Sequence, residues 1–280
     1  MPATVHVSSL WLTGIIITAI FAIVYPLILA IIAHQRLKVG WKYFGFGMLI
    51  FLIFQLVSRV PIVTILGSVL APQLKSSPAF LYTWIVILTI TAGLFEEVGR
   101  YIGYRWFMRR EEKTWSKAVM YGIGHGGLES MVLVGGGILL TVLNVIVLSV
   151  TNLNSLPASQ HALIVHQLAT INAQPWWLSL AGAWERFWTL FIHIALSVVV
   201  LQVFRRSSIV WLWLAVLAHA VVDFTTVIIP QLIGASVSST LLTEGLVAIF
   251  GILSVIVIWR LRESTPATVE THPVVPTEAV

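Results

Sequence analysis

The 280 residues include no cysteine, which removes thiol catalysis, disulfide bridges and cysteine-ligated zinc and leaves the redox compartment undetermined. Charge is nearly as scarce: Asp, Glu, Lys and Arg make up 10% of the chain against 58% hydrophobic residues, with a mean hydropathy of +0.96. A soluble domain carries about a quarter of its residues charged, so the composition describes a polytopic membrane protein. The net charge of +5 comes from short scattered basic clusters. These read as determinants of topology, and no nucleic-acid partner is expected. The first nine residues hold no Lys or Arg, so the basic start of a signal peptide is missing and the first apolar run reads as a retained span. No internal repeat is visible.

What is present is a series of long apolar runs. A bilayer core needs about 20 apolar residues per helix, and on that basis the chain predicts an all-α bundle of about seven transmembrane helices. They cover roughly residues 10–33, 43–70, 81–106, 118–150, 178–204, 209–230 and 241–259. The fourth run is overlong and rich in glycine ("GIGHGG", "VGGG"), which suggests a tilted or broken helix. Residues 1–262 form one membrane-embedded domain, and the Pro/Thr/Val-rich stretch 263–280 reads as a disordered cytoplasmic tail. Twelve Lys and Arg residues flank alternate ends of these runs on one side, whereas only Lys75 lies on the other. The positive-inside rule then places the N-terminus outside and the C-terminus in the cytoplasm. The long outer connection 151–177 carries no charge and holds His161, His166, Trp176 and Trp177. It reads as an interfacial aromatic belt with a partly buried loop.

The intramembrane polar residues are few: Arg59; Glu96, Glu97 and Arg100; His125 and Glu129; Glu185, Arg186 and His193; His219 and Asp223. At 1.5 Å per helical residue, Glu96 lies about 14 Å from its basic anchor Arg105, and His125 about 12 Å from Lys117. His193 and His219 lie about 18–20 Å from Arg205 and Arg206. Four runs therefore bring titratable groups to comparable depth, in the cytoplasmic half or middle of the bilayer. Groups at one depth on separate helices can converge. Charges there cost at least about 2.5–3.5 kcal/mol each on insertion scales, and such a cluster points to function.

Spacing adds that Glu96 and Arg100, His125 and Glu129, and His219 and Asp223 are each one helical turn apart and share a face. A carboxylate one turn from an imidazole can fix its tautomer, and an arginine can hold a carboxylate ionised. Glu185–Arg186 and Arg59 read as polar contacts that join helices. One carboxylate with two or three imidazoles can activate water directly or through a divalent metal. There is no HExxH and no GxSxG, and neither Ser130 nor Ser197 has a base at motif spacing, so hydrolysis by activated water is the simplest chemistry.

"EEVGR" (residues 96–100), "YGIGH" (121–125) and "HAVVD" (219–223) resemble the motifs of the CAAX-prenyl-protease/bacteriocin-processing (CPBP, or ABI) superfamily. The wider context, "GLFEEVGRYIGYRW" then "GIGHGGLE", looks most like its YhfC-type branch of membrane metallopeptidases or glutamic intramembrane proteases. The resemblance implies an all-helical intramembrane endopeptidase, with Glu96 as the water-activating base, Glu97 its neighbour and Arg100 a supporting partner. His125 and His219 would orient water or stabilise the oxyanion, and Asp223 would take the Asn/Asp position. Depth adds His193, and helical spacing adds Glu129, as supporting residues. Glu-Glu-x-x-Arg here is one residue shorter than the usual spacing, which moves Arg100 around the helix. No cofactor is certain; a divalent metal such as zinc would be held by Glu96, His125, His193 and His219. The expected partners are the lipid bilayer and a peptide or membrane-protein substrate, the location is multi-pass in a prokaryotic cell membrane, and the oligomeric state is open. Competing readings are a non-catalytic scaffold or chaperone of transmembrane segments, a proton-coupled transporter, and, less favoured, haem ligation by histidine.

Overall fold

The computed structural model of the protein describes residues 7–150 and 156–262; the tail expected at 263–280 lies outside the described residues. Among the described residues the chain is all helical, and seven helices are long and apolar enough to cross a membrane: Ser9–Leu37, Lys42–Val69, Pro78–Trp106, Trp115–Leu148, Trp176–Arg205, Val210–Ile233 and Val237–Arg260. The expected runs match these within a few residues, because run length in an apolar sequence is set directly by bilayer thickness.

The first span is α1 (Ser9–Leu37). The second is α2 (Lys42–Phe51), a π-helical stretch (Leu52–Arg59) and α3 (Val60–Val69). The short α4 (Ala71–Ser76) leads into α5 (Pro78–Trp106). The fourth span is α6 (Trp115–Glu129), a second π-helical stretch (Ser130–Gly136) and α7 (Gly137–Val150). After α8 (Ala158–Ala173) and a 3₁₀ turn (Trp176–Leu180) come α9 (Ala181–Arg205), α10 (Val210–Ile233) and α11 (Val237–Arg260).

The overlong fourth run is interrupted at Ser130–Gly136. Its glycines remove the side-chain packing that normally holds a helical ladder in register. The seryl hydroxyl of Ser130 donates to the Ala22 carbonyl of α1 at 2.8 Å, pinning the wide turn. The π-helical stretch in the second span has no counterpart in the sequence reading. Pro61 offers no N–H to the carbonyl of Val57, which frees the ladder there, and the wider turn directs Gln55 and Arg59 inward, both buried. π-Helical insertions of this kind recur near functional sites.

The outer connection also contains more order than expected, because α8 occupies Ala158–Ala173 behind Pro157. At about 24 Å it is too short to cross the hydrocarbon core, and none of its residues is buried.

The centre of the bundle is α6. Every residue from 118 to 127 is buried, as expected of a helix enclosed on all sides. It packs against α1, α2 and α9, while α5 lies against α10 and α9 against α11. Glycine makes these approaches close. A Cβ on Gly124 would stand 2.0 Å from the Phe44 carbonyl oxygen, and one on Gly122 would stand 2.6 Å from Ile194 Cα. The outer surface is covered with exposed Leu, Ile and Val, the pattern that hydrocarbon rather than water tolerates.

At the basic end, Glu111 ties the connection after α5 to α2. It accepts from Lys42 Nζ at 2.7 Å and from the Tyr43 hydroxyl, with Lys117 Nζ at 3.7 Å. The Lys42 hydrogen bond, then that of Tyr43, holds the Glu111 carboxyl below the usual carboxylate range. At the opposite end the Thr18 hydroxyl donates to the Ser179 carbonyl at 2.8 Å and joins α1 to the 3₁₀ turn. Thr18→Val keeps the shape and strands that carbonyl, so a loss of about 1–3 kcal/mol is expected, readable as a lowered thermal midpoint in detergent.

Candidate active site

The charged residues of α5 turn inward because Thr89, Ala92, Gly93, Glu96, Glu97, Gly99, Arg100 and Gly103 form its buried stripe. Small residues on that stripe let α10 approach: a Cβ on Gly93 would stand 2.6 Å from the Val216 carbonyl oxygen. Close approach brings His219 on α10 against both glutamates. Its Nδ1 lies 2.7 Å from Glu97 Oε1, and its Nε2 lies 3.8 Å from Glu96 Oε2 and 3.6 Å from Asp223 Oδ2.

Glu96 is also held from α6, with His125 Nε2 at 2.9 Å from the same Oε2. His125 is edge-on to Phe51, with ring centroids 5.1 Å apart. From α9, His193 places its ring 5.6 Å from that of His125 and 5.9 Å from that of His219. Gly126 provides the room, since a Cβ there would meet His193 side-chain atoms at 2.8 Å.

Several partners differ from those that helical spacing suggests. Glu129 does not pair with His125 one turn earlier. Its carboxylate accepts from His193 Nε2 at 2.8 Å and from Arg186 at 2.9 Å, and His125 Nδ1 has no hydrogen-bond partner. Arg100 bonds chiefly to Glu97 and lies 2.8 Å from His193 Nδ1, leaving Glu96 Oε2 at 3.7 Å. A shared helix face fixes only which side a residue points to. Partner choice among groups at one depth follows from interhelical distance, which the glycine contacts set.

Arg186, read from sequence as a structural pair with Glu185, does bond Glu185 and also reaches Glu129, so it joins the cluster. Arg59 holds Gln55, Thr91 and the Leu88 carbonyl, and so fastens the second span to α5. A polar cavity of about 130 Å³ opens among these groups, lined by Gln55, Glu96, Glu129, His193, His219 and Asp223. Gln55, Thr189 and Thr226 are polar lining residues that sequence reasoning missed; an uncharged side chain in an apolar run gives no signal of its own. His161 and His166 lie on α8 and do not line this cavity.

Oxygen from Glu96 and nitrogen from His125 and His193 lie within 4.8 Å of one another, forming a group that could hold a metal ion. One carboxylate with two imidazoles is a donor set that suits zinc. The charge balance suits a cation as well. Five carboxylates (Glu96, Glu97, Glu129, Glu185 and Asp223) stand against three guanidiniums, Arg100 and Arg186 in contact with them and Arg59 behind Gln55. The residues therefore fit a divalent ion.

A family model described as YhfC intramembrane metalloprotease matches residues 20–250. The membrane protein YhfC of Bacillus subtilis (strain 168), itself described as uncharacterized, is 29% identical over 171 residues, 59% of this chain. The match spans 64% of that relative's length. No solved structure matches the chain. Seven apolar spans and a relative that is a membrane protein make this a multi-pass protein of the cell membrane. Since the family model covers well over half of the chain and every residue lining the cavity, from Gln55 to Thr226, the chain belongs to the YhfC intramembrane metalloprotease family.

Proposed function

We propose that the protein is an intramembrane peptidase that hydrolyses a peptide bond with water activated by Glu96. The observation that supports this is the convergence of Glu96, Glu129, His193, His219 and Asp223 on one cavity inside a bundle whose outer surface is apolar. Buried titratable groups around a small polar space are the usual mark of a reactive centre in a membrane protein.

Glu96 is the base that takes the proton of the attacking water. His125 Nε2 holds one of its oxygens at 2.9 Å and fixes the direction of the carboxylate. His219 has Nδ1 committed to Glu97 and presents Nε2 toward Glu96 and Asp223. From there it orients the water or meets the oxyanion that develops on the scissile carbonyl. Arg100 secures Glu97, and Glu129 with Arg186 secures His193. A divalent ion held by Glu96, His125 and His193 would supply Lewis-acid polarisation of that water.

The same reading places the basic loop ends in the cytoplasm, the N-terminus outside and the reaction in the cytoplasmic half of the bilayer. The substrate is a peptide or membrane-protein segment that reaches this depth. The motifs extend the likeness to the CPBP superfamily, in which Glu96, His125, His219 and Asp223 would take the corresponding roles.

The test is hydrolysis itself. The purified chain in proteoliposomes is given a panel of hydrophobic peptides in heavy-oxygen water, and products are weighed. Cleavage with one heavy oxygen in each new C-terminal carboxyl supports the reading. No cleavage of any peptide, or cleavage without label, removes it.

A further inference from the structure

The neighbours of His193 decide which of its ring nitrogens accepts and which donates. Arg100 Nη2 lies 2.8 Å from His193 Nδ1, and a guanidinium has only donors and stays charged. Nδ1 is therefore the accepting nitrogen. Nε2 carries the ring proton and donates it to Glu129 Oε2 at 2.8 Å. Both ring nitrogens are committed, and the only lone pair that His193 could give a metal is already engaged by Arg100.

The same Nη2 lies 3.7 Å from Glu96 Oε2, so a positive group lies close to two of the three side chains able to hold an ion. Zinc sits about 2.0–2.2 Å from its nitrogen and oxygen ligands. An ion facing both atoms would meet that nitrogen at contact distance, charge against charge.

We propose that Arg100 is the resident cation of the metal-free site and competes with a divalent ion for the Nδ1 lone pair of His193. Metal loading and withdrawal of the guanidinium are then one event. The inference rests on the reading above that Glu96, His125 and His193 hold a metal. Arg100 need not leave the site to yield, because Nη1 keeps Glu97 while Nη2 turns away. An acceptor is close by in the Tyr121 hydroxyl, which is buried, has no hydrogen-bond partner and packs against Gly103, one turn from Arg100. The Glu129–His193 hydrogen bond is undisturbed and becomes the carboxylate behind a metal-bound imidazole. Arg100 thus keeps Glu96 and Glu97 tolerable side by side before an ion arrives, as Arg186 does for Glu129 and Glu185.

The experiment measures metal binding rather than turnover. The full chain in nanodiscs, stripped of metal, is titrated with zinc against a chromophoric chelator. Arg100→Lys keeps a positive charge beside Glu97 and lacks the second terminal nitrogen that reaches His193. It is expected to bind zinc about tenfold more tightly, the worth of one charge-assisted hydrogen bond. Histidine-selective nitrogen NMR of the wild-type protein needs no change at Arg100. In the metal-free chain Nδ1 of His193 should resonate as an unprotonated nitrogen and move to a metal-bound position when zinc is added, with His193→Gln identifying the signal. Zinc affinity unchanged in Arg100→Lys, or Nδ1 found protonated in the metal-free chain, overturns the proposal. Glu96→Gln separates the two layers. If it holds zinc as tightly as wild type, the metal-holding reading fails; if it loses zinc while Arg100→Lys is unchanged, only the competition fails.

Discussion

Glu96→Gln is expected to lower peptide hydrolysis by about 10²–10⁴-fold, the contribution of a positioned general base, while leaving the protein folded. The amide has nearly the shape of the carboxylate and keeps an oxygen for His125 Nε2, now 2.9 Å from Glu96 Oε2. What it loses is the capacity to take a proton and the anionic oxygen that would help hold a metal. The expected effect on stability has the opposite sign to most changes at buried positions. Glu96 is 2% exposed, and the nearest cation is 3.7 Å away and already bonded to Glu97. Removing one of five clustered carboxylates relieves a buried charge that lacks a close ion pair of its own, so the thermal midpoint should stay level or rise. Activity and midpoint are read on the same preparation in proteoliposomes. Retained hydrolysis would remove Glu96 from the role of base, and a collapsed midpoint would make it a structural residue.

The second large effect is expected at a position with no chemistry. A Cβ on Gly124 would lie 2.0 Å from the Phe44 carbonyl oxygen and 2.7 Å from its carbon. Those are backbone atoms, which cannot swing aside as a side chain would. Gly124→Ala must therefore part α2 from α6. Overpacking of this kind costs about 1–3 kcal/mol. The displacement falls one residue from His125, where a shift of about 1 Å costs about 100-fold in rate. The substitution should lower both the thermal midpoint and hydrolysis. Gly67→Ala on α3 is the matched control, since nothing lies within 4 Å of a Cβ there. Removing a mid-helix glycine is worth up to about 1 kcal/mol in favour of the helix, so its midpoint should hold or rise with activity intact. Equal behaviour of the two variants would show that close backbone approach does not set the geometry of the cavity.

Much of this protein is legible in the chain because the bilayer is a simple solvent. It demands one length of apolar run per crossing, so seven runs give seven spans, and the overlong, glycine-rich fourth run is the one that breaks at Ser130–Gly136. It also penalises every buried charge, so Glu96, Glu97, His125, His193 and His219 stand out before any fold is known, and counting from basic anchors gives their common depth. The π-helical stretch Leu52–Arg59, the inward turn of Gln55 and the helix at Ala158–Ala173 had no such clear signal. They depend on small imbalances in local hydrogen bonding, such as the missing N–H of Pro61, that hydropathy does not register.

By itself, then, the sequence determined how many apolar spans the chain has and which polar residues those spans carry inward, since each follows from one residue's cost in hydrocarbon. Only the tertiary structure decided who bonds to whom. Glu129 serves His193 instead of His125, Arg100 serves Glu97 and His193 ahead of Glu96, and Arg186 on α9 reaches across to Glu129 on α6. Among several charges at one level, the partner is chosen by a few ångströms of interhelical distance. That distance is set by which glycines face which backbone, a relation between helices that no single stretch of sequence contains.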